Sequence, residues 1–159
     1  MAVEKHKELM REAIALSLNN VRQNSGGPFA ALIVRNETIV SVGTNLVTSM
    51  NDPTAHAEIM AIREACRTTG SFKLDGCAIY TTCEPCPMCL GAIYWARLDR
   101  IYYANSREEA ANIGFDDRLI YSEISFPIER RQIPAERLLE EEALIAFREW
   151  ERKENKTRY

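Results

Sequence analysis

Four residues in two short segments form a pattern that suits a catalytic metal centre. His56 and Glu58 belong to the segment TAHAE, and Cys86 and Cys89 belong to the segment PCPMC. A catalytic zinc ion usually takes three protein ligands from His, Cys or carboxylate side chains and keeps its fourth position for water. With His56, Cys86 and Cys89 as the ligands, Glu58 is left for proton transfer. The pattern therefore predicts a zinc site with an ionisable solvent molecule and a carboxyl group beside it.

The same segments allow a second interpretation, in which the metal is structural. A structural zinc ion takes four protein ligands, and Cys83 is a candidate for the fourth. This would make the protein a zinc-stabilised dimerisation module without catalytic activity. Two features favour the catalytic interpretation: Cys83 is predicted to end a strand before Pro85, and a structural ion gives Glu58 no role.

Both motifs are predicted to lie where a helix begins. Asp52-Pro53-Thr54 precedes an apolar-periodic helix that ends at Gly70. Pro87 suits the first position of a second helix, which makes Cys86 its N-cap and Cys89 its third residue. The partial positive charge of both helix N-termini would then stabilise two thiolates, a hydroxide and a carboxylate.

The remaining elements follow from hydrophobic periodicity and turn residues. The predicted strands cover residues 29–35, 38–45, 77–82 and 100–104, with Asn36-Glu37 as a tight hairpin between the first two. The other predicted helices cover residues 4–22, 86–97, 108–113, a short piece after Asp117, and about 136–153. Because the last three strands alternate with helices, these strands are predicted to be parallel and covered by helices.

Composition indicates a single globular domain that acts on a small molecule. The chain has 159 residues, 46% of them hydrophobic, and a formal net charge of −3, which gives no general attraction to a nucleic-acid backbone. We expect a cytoplasmic protein without a membrane segment, because no run approaches about 20 apolar residues and no secretory apolar segment follows the N-terminus. Five cysteines, three of them within seven residues, favour metal binding over disulfides. Cys66 and Cys77 are predicted to be buried, and His6 to be a solvated surface residue.

With these residues in view, the chain resembles the cytidine deaminase-like superfamily and, within it, the small bacterial guanine deaminases. The H-x-E and P-C-x-x-C pair is the signature of zinc nucleobase deaminases. The resemblance is carried by GGPFAA (26–31), TSMNDPTAHAEIMAIREAC (48–66), YTTCEPCPMCLGAIYWAR (80–97), IGFDD (113–117) and the terminal tyrosine. It implies an α/β fold of three layers, α/β/α, with a mixed central sheet of about five strands. One departure is Ala30, where a glycine is common in the family.

The resemblance also implies a role for individual residues. His56, Cys86 and Cys89 would hold one Zn²⁺ per subunit, with Glu58 as the catalytic proton shuttle. The residues that would bind the substrate are Phe29, Asn45, Trp95, Asp117 and Tyr159. Phe29 would stack on the base, Asn45 would hydrogen-bond it, and Tyr159 would close the site of the other subunit in a homodimer that exchanges residues 136–159. Plainer interpretations stay open: Phe29 and Trp95 as core aromatics, Asn45 as a turn residue, Asp116 or Asp117 as a helix cap, and KENKTRY as a frayed tail.

The predicted activity is hydrolytic deamination of guanine to xanthine and ammonia. A tRNA adenosine deaminase shares both motifs, but it would need clustered basic residues to hold an anticodon stem. Here the late basic residues of the segment 148–158 are interleaved with glutamates, which is typical of a solvated helix face. Guanosine, cytosine and aminotriazines remain alternative substrates.

Overall fold

The computed structural model describes residues 3–158. The chain divides into two units, Met1–Asp117 and Arg118–Tyr159. The first unit contains all four strands and the predicted metal ligands. The prediction of one domain over residues 1–159 stays a prediction.

A four-stranded mixed sheet forms the centre of the first unit. Its strands are β1 (Ala30–Arg35), β2 (Thr38–Thr44), β3 (Cys77–Cys83) and β4 (Arg100–Asn105). The spatial order is β2-β1-β3-β4, with β1 antiparallel to both β2 and β3, and β3 parallel to β4. The described residues thus contain four strands where about five were predicted. The last three strands share one direction, as predicted, but β1 lies between β2 and β3.

The hairpin between β1 and β2 forms where it was predicted. Asn36 and Glu37 have φ angles of 48° and 64°, so both central residues are left-handed. This turn matches the right-handed twist of the two strands, and Arg35 pairs directly with Thr38.

Helices cover the two faces of the sheet. The helices of the first unit are α1 (Val3–Arg22), α2 (Val47–Met50), α3 (Ala57–Thr69), α4 (Pro87–Trp95) and α5 (Arg107–Asn112). Along β1, Ile33 packs in the core cluster that contains α3 and α4, whereas Leu32 packs with Leu9 of α1 in a second cluster. Alternate side chains of a strand point to opposite faces, so the sheet is buried on both sides. This confirms the three-layer α/β/α prediction.

Close packing of α3 on β2 determines where the first metal-binding segment lies. A Cβ atom on Gly43 would meet the Ala57 carbonyl oxygen at 2.2 Å and the Ala61 nitrogen at 2.4 Å. Ser41, also on β2, donates its hydroxyl to the Ala61 carbonyl oxygen at 2.7 Å. The first turn of α3 therefore lies directly against the sheet. Gly70 ends this helix in the left-handed conformation, as predicted.

His6 is not the solvated residue that was predicted. It is half-buried, with Nδ1 2.6 Å from the Tyr80 hydroxyl oxygen and its ring 4.4 Å from that of Tyr102. The prediction failed because it followed only apolar residues, whereas α1 packs on a sheet face that carries two tyrosine hydroxyls. Of the two cysteines predicted to be buried, Cys77 is buried and Cys66 is half-buried.

The second unit contains α6 (Arg118–Ser125), a 3-10 turn (Ile128–Arg130) and α7 (Glu140–Arg152). The last helix begins at Glu140 and not at the predicted residue 136. Leu139 precedes it in the left-handed conformation, and three glutamates occupy the first turn, where negative charge is favourable. The large apolar side chains of this helix are largely exposed, with Phe147 73% and Trp150 45% accessible. Within the described residues, no helix has the length and apolar character to cross a membrane.

Candidate metal centre

Three predicted ligands come together between the starts of two helices. His56 is the N-cap of α3, Cys86 is the N-cap of α4, and Cys89 is the third residue of α4. Their donor atoms all lie within 4.8 Å of one another, and His56 Nδ1 is 3.6 Å from the sulfur of each cysteine. Ligands at about 2.0 Å (nitrogen) and 2.3 Å (sulfur) from a tetrahedral ion are themselves separated by about 3.6 Å. The donor set and its spacing therefore fit a zinc ion.

The local sequence explains why these side chains are available. N-cap residues are usually Ser, Thr, Asp or Asn, whose side chains bond the first helical N–H groups. His56 and Cys86 occupy N-cap positions with extended backbone, yet neither side chain makes a capping hydrogen bond. Both are directed towards the other ligands instead. Pro87 occupies the first turn of α4, as predicted, where its missing N–H costs nothing.

The two thiols of this centre differ in acidity. The pKa of Cys86 is lowered to about 4, mainly by a hydrogen bond from Cys89 and to a smaller extent by a hydrogen bond with His56. The same bond raises the pKa of Cys89, together with burial and the nearby carboxyl group of Glu58. The bond to Cys86 also raises the pKa of His56. Before any metal binds, Cys86 is thus the thiolate and Cys89 holds the proton.

Glu58 lies beside the three ligands in the first turn of α3. It is 6% exposed, and its Oε2 is 3.4 Å from Cys89 Sγ. Its Oε1 accepts a hydrogen bond of 3.1 Å from the Thr81 hydroxyl. Burial raises the pKa of Glu58 above its ordinary value. A carboxyl group with a raised pKa holds a proton more readily than an exposed one, which suits a group that alternates between base and acid.

Cys83 does not complete a four-ligand site. Its sulfur contacts the Ser106 carbonyl oxygen at 3.7 Å and is not part of the group of ligand atoms around His56. Burial raises the pKa of Cys83 to about 11, so it is a neutral thiol at physiological pH. The structure contradicts the alternative in which Cys83 is the fourth ligand of a structural zinc ion.

Asn45 and Phe29, both predicted to contact a substrate, lie together, Asn45 directly after β2 and Phe29 directly before β1. The Asn45 backbone N–H donates to the Phe29 carbonyl oxygen at 3.0 Å. Asn45 is buried, and its Oδ1 accepts from the backbone N–H groups of Gly27 and Val47 at 3.2 and 3.3 Å. These two bonds determine the orientation of the amide and leave Nδ2 as the group that can donate to a ligand. Phe29 is half-buried and packs edge-to-face on Phe115, with ring centroids 4.9 Å apart.

The other predicted substrate residues differ in their placement. Asp117 is half-buried, and its pKa is raised by burial and by the charge of Cys86, so its carboxyl group lies within electrostatic range of the metal ligands. Trp95 is the last residue of α4 and is 67% exposed. The helix separates it from Cys86 by about 13 Å of rise, so its role in the pocket stays a prediction. Tyr159 lies outside the described residues.

Two residues near the site were missed by the sequence analysis. Asn20 of α1 is 4% exposed, and its Nδ2 donates to the carbonyl oxygens of Gly27 and Asn45, both at 2.9 Å. It therefore ties the loop before β1 to the end of β2. The sequence feature that could have identified Asn20 is its position as a polar residue on the helix face that also contains the buried Leu9 and Ala13. The second residue is Thr81, which could have been identified as a polar residue two positions after the buried Ile79, on the same face of β3.

Comparison with known proteins agrees with this geometry. The family model of the cytidine and deoxycytidylate deaminase zinc-binding region matches residues 3–105. The guanine deaminase of Bacillus subtilis (strain 168) is 48% identical over 154 residues, which cover 97% of this chain and 99% of that protein. The tRNA-specific adenosine deaminase of Aquifex aeolicus is 43% identical over 77 residues, 48% of this chain and 51% of that protein. An X-ray structure of guanine deaminase from Bacillus subtilis has a TM-score of 0.94 and 47% identity, covering 100% of this chain and 99% of that one.

Proposed function

Because this chain belongs to the family of the cytidine and deoxycytidylate deaminase zinc-binding region, we propose that it hydrolyses guanine to xanthine and ammonia. The observation that carries this proposal is similarity along 97% of the chain to a guanine deaminase, at 48% identity. The tRNA-specific adenosine deaminase of Aquifex aeolicus, by contrast, is similar to only 48% of the chain. The substrate is thus a small nucleobase.

His56, Cys86 and Cys89 are the residues that would hold one zinc ion. Such an ion supplies hydroxide at neutral pH, since it lowers the pKa of water from about 15.7 to about 7. The two helix N-termini stabilise the thiolates, and burial excludes competing solvent from Cys89, which has no exposed surface.

Glu58 carries the protons of the reaction. It takes one proton from the attacking water and gives it to N3 of the base while the C2–O bond forms. It then takes the second proton from the new hydroxyl group and gives it to the amine, so that the C2–N bond breaks and ammonia leaves. The raised pKa of Glu58, caused by its burial, suits this alternation between base and acid.

Recognition of guanine follows from the donors and acceptors at the edge of the site. Asn45 Nδ2 donates to acceptor atoms of the base, and the Asp117 carboxylate accepts from the N1–H and amino donors that guanine presents. Adenine and cytosine do not present this pair of donors, and an unmatched buried polar group is costly. Phe29 packs edge-to-face on Phe115, with ring centroids 4.9 Å apart, and provides a flat apolar surface for the purine ring.

The protein is further proposed to act in the cytoplasm as a homodimer that exchanges residues 136–159. Exposed apolar side chains support a larger assembly, among them Trp95, Phe147 and Trp150. Exchange would bring Tyr159 to the site of the partner subunit. Sedimentation of the full chain tests the dimer, and loss of activity on Tyr159→Ala, restored by mixing with Glu58→Gln protein, tests the exchange.

An ammonia-release panel tests the substrate. Guanine, guanosine, adenine, cytosine, cytidine and a tRNA anticodon stem-loop are compared at equal enzyme concentration, and guanine is expected to give the highest kcat/KM. A preference for cytosine or for the stem-loop would contradict the proposal. In the same assay Glu58→Gln is expected to retain zinc and to lose roughly 10²- to 10⁴-fold in kcat, the usual contribution of general acid–base catalysis.

A further inference from the structure

We infer that Thr81 is a positioning residue for proton transfer: its hydroxyl group holds one oxygen of Glu58 and thereby presents the other oxygen to the metal centre. The inference rests on the proposed function, because it assigns a role within that reaction.

The two carboxyl oxygens of Glu58 have different surroundings. Oε1 accepts from the Thr81 hydroxyl at 3.1 Å, whereas Oε2 lies 3.4 Å from Cys89 Sγ. Thr81 is 1% exposed and Glu58 is 6% exposed, so bulk water does not compete for this bond. One oxygen therefore faces the sheet and the other faces the metal ligands.

The sheet makes Thr81 a rigid anchor. It pairs with Ala31 on β1 and with Tyr103 on β4, so strands hold it from both sides. Its branched Cβ restricts χ1 to few rotamers, and burial restricts them further. The terminal torsion of a glutamate is broad and has no such restriction. The hydrogen bond from the rigid Thr81 thus restricts the rotation of the Glu58 carboxyl group.

This arrangement is compatible with both states of the proton shuttle. When Glu58 is a carboxylate, Oε1 accepts from Thr81 and Oε2 is ready to take a proton. When Oε2 carries the proton, Oε1 is a carbonyl oxygen and still accepts the same bond. The Thr81 contact therefore persists through both transfers, and only Oε2 changes its protonation.

Other buried hydroxyl groups nearby provide a control. The Thr82 hydroxyl oxygen accepts from the Ala30 backbone N–H at 3.1 Å, so it joins β3 to β1. Ser41 is 6% exposed and donates to the Ala61 carbonyl oxygen of α3 at 2.7 Å. Ser41→Ala removes a buried bond to the same helix without touching Glu58, and it is the matched control for a purely structural effect.

The first experiment compares zinc-loaded wild type with Thr81→Val, Thr81→Ser and Ser41→Ala. Valine keeps the shape of threonine but loses the hydroxyl, and we expect kcat to fall roughly 10- to 100-fold, with KM within about threefold and zinc content unchanged. Serine restores the hydroxyl and is expected to return kcat to within about threefold of wild type. Ser41→Ala is expected to lower the thermal midpoint without a comparable loss of kcat. The inference is overturned if Thr81→Val has the kcat of the wild type. It is also overturned if kcat falls as much in Thr81→Ser as in Thr81→Val.

The second experiment needs no activity. Thermal midpoints are measured for wild type, Thr81→Val, Glu58→Leu and the double variant, all zinc-loaded. If Thr81 holds Glu58, Thr81→Val lowers the thermal midpoint more in the wild-type background than in the Glu58→Leu background. If the shift of the double variant equals the sum of the two single shifts, the inference is overturned. Should wild type release no ammonia from guanine, the proposed function fails, and this cycle still decides whether the two side chains are coupled.

Discussion

At the scale of single residues, the proton shared by Cys86 and Cys89 at the start of α4 has a measurable consequence. The Cys86 pKa is lowered to about 4, mainly by its hydrogen bond from Cys89, while the Cys89 pKa is raised by the same bond. Zinc requires both as thiolates and His56 as neutral imidazole. Metal binding must therefore release the proton of Cys89 and any proton held by His56.

We expect zinc binding to the metal-free protein at pH 7 to release about one to two protons. Calorimetric titration in buffers with different ionisation enthalpies measures this number. The variant Cys89→Ser should release about one proton fewer, since its hydroxyl does not ionise. A release near zero for the wild type would contradict the assignment of Cys89 as the protonated partner.

Tyr80 predicts a loss of stability at alkaline pH. Burial raises its pKa to about 12, with smaller contributions from Tyr102 and Glu37, whereas an unfolded tyrosine ionises near pH 10. The stabilisation is fully present below about pH 10 and is lost as the pH rises to about 12, because the unfolded chain gives up this proton first. Urea unfolding from pH 9 to 12 measures this loss as a decline in the free energy of unfolding. The decline should be shallower for Tyr80→Phe, and an equal decline in the two proteins would contradict the prediction.

At the scale of elements, the loop before β1 depends on a helix residue distant in sequence. Asn20 satisfies the carbonyl oxygens of Gly27 and Asn45 from α1. Asn20→Ala leaves the buried Asn45 carbonyl group and the half-buried Gly27 carbonyl group without this donor. We expect a loss of about 1–3 kcal/mol in the free energy of unfolding, with a raised KM for guanine. Urea unfolding and initial rates measure the two effects. The exposed neighbour Asn19 provides the control, and Asn19→Ala with equal effects would refute the role of Asn20.

The contact of α3 with β2 is a second element-level feature with a direct test. Gly43→Ala would place a methyl group 2.2 Å from the Ala57 carbonyl oxygen, which forces the start of α3 away from the sheet. Because His56 occupies the N-cap position of that helix, zinc affinity and the thermal midpoint should both fall. Gly91→Ala on α4, where no atom lies within 4 Å, should retain both. Unchanged zinc affinity in Gly43→Ala would show that the helix position does not control the ligand.

At the scale of the whole molecule, the two hydrophobic clusters of the core are separate from the candidate metal ligands. Two buried clusters, one on each face of the sheet, contain none of the three ligands. We therefore expect chelation to abolish activity and lower the thermal midpoint while the far-ultraviolet circular dichroism stays that of a folded α/β protein. Added zinc should restore activity. Unfolding on chelation would instead support a structural ion.

Much of this organisation is determined by local sequence. Hydrophobic periodicity predicts α1, α3 and the four strands, and Asn36-Glu37 forms the hairpin. Pro87 makes Cys86 the N-cap of α4 and Cys89 its third residue. These features depend on backbone preferences and on residues a few positions apart, so they can be derived from the chain alone. The sequence also predicts the candidate ligands His56, Cys86 and Cys89, with Glu58 beside them, since metal chemistry selects the residue types.

Only the tertiary structure decides which distant groups meet. It inserts β1 between two strands of the opposite direction, separates Cys83 from the metal ligands, and packs His6 against two tyrosines. It also brings Thr81 to Glu58 and Asn20 to Asn45. These contacts join elements that pack through their buried faces, and a polar group in such a face must find whichever partner the packing brings near. Their sequence separation carries no local signal, which is why the sequence specified the chemistry of the site but not the residues that hold it in place.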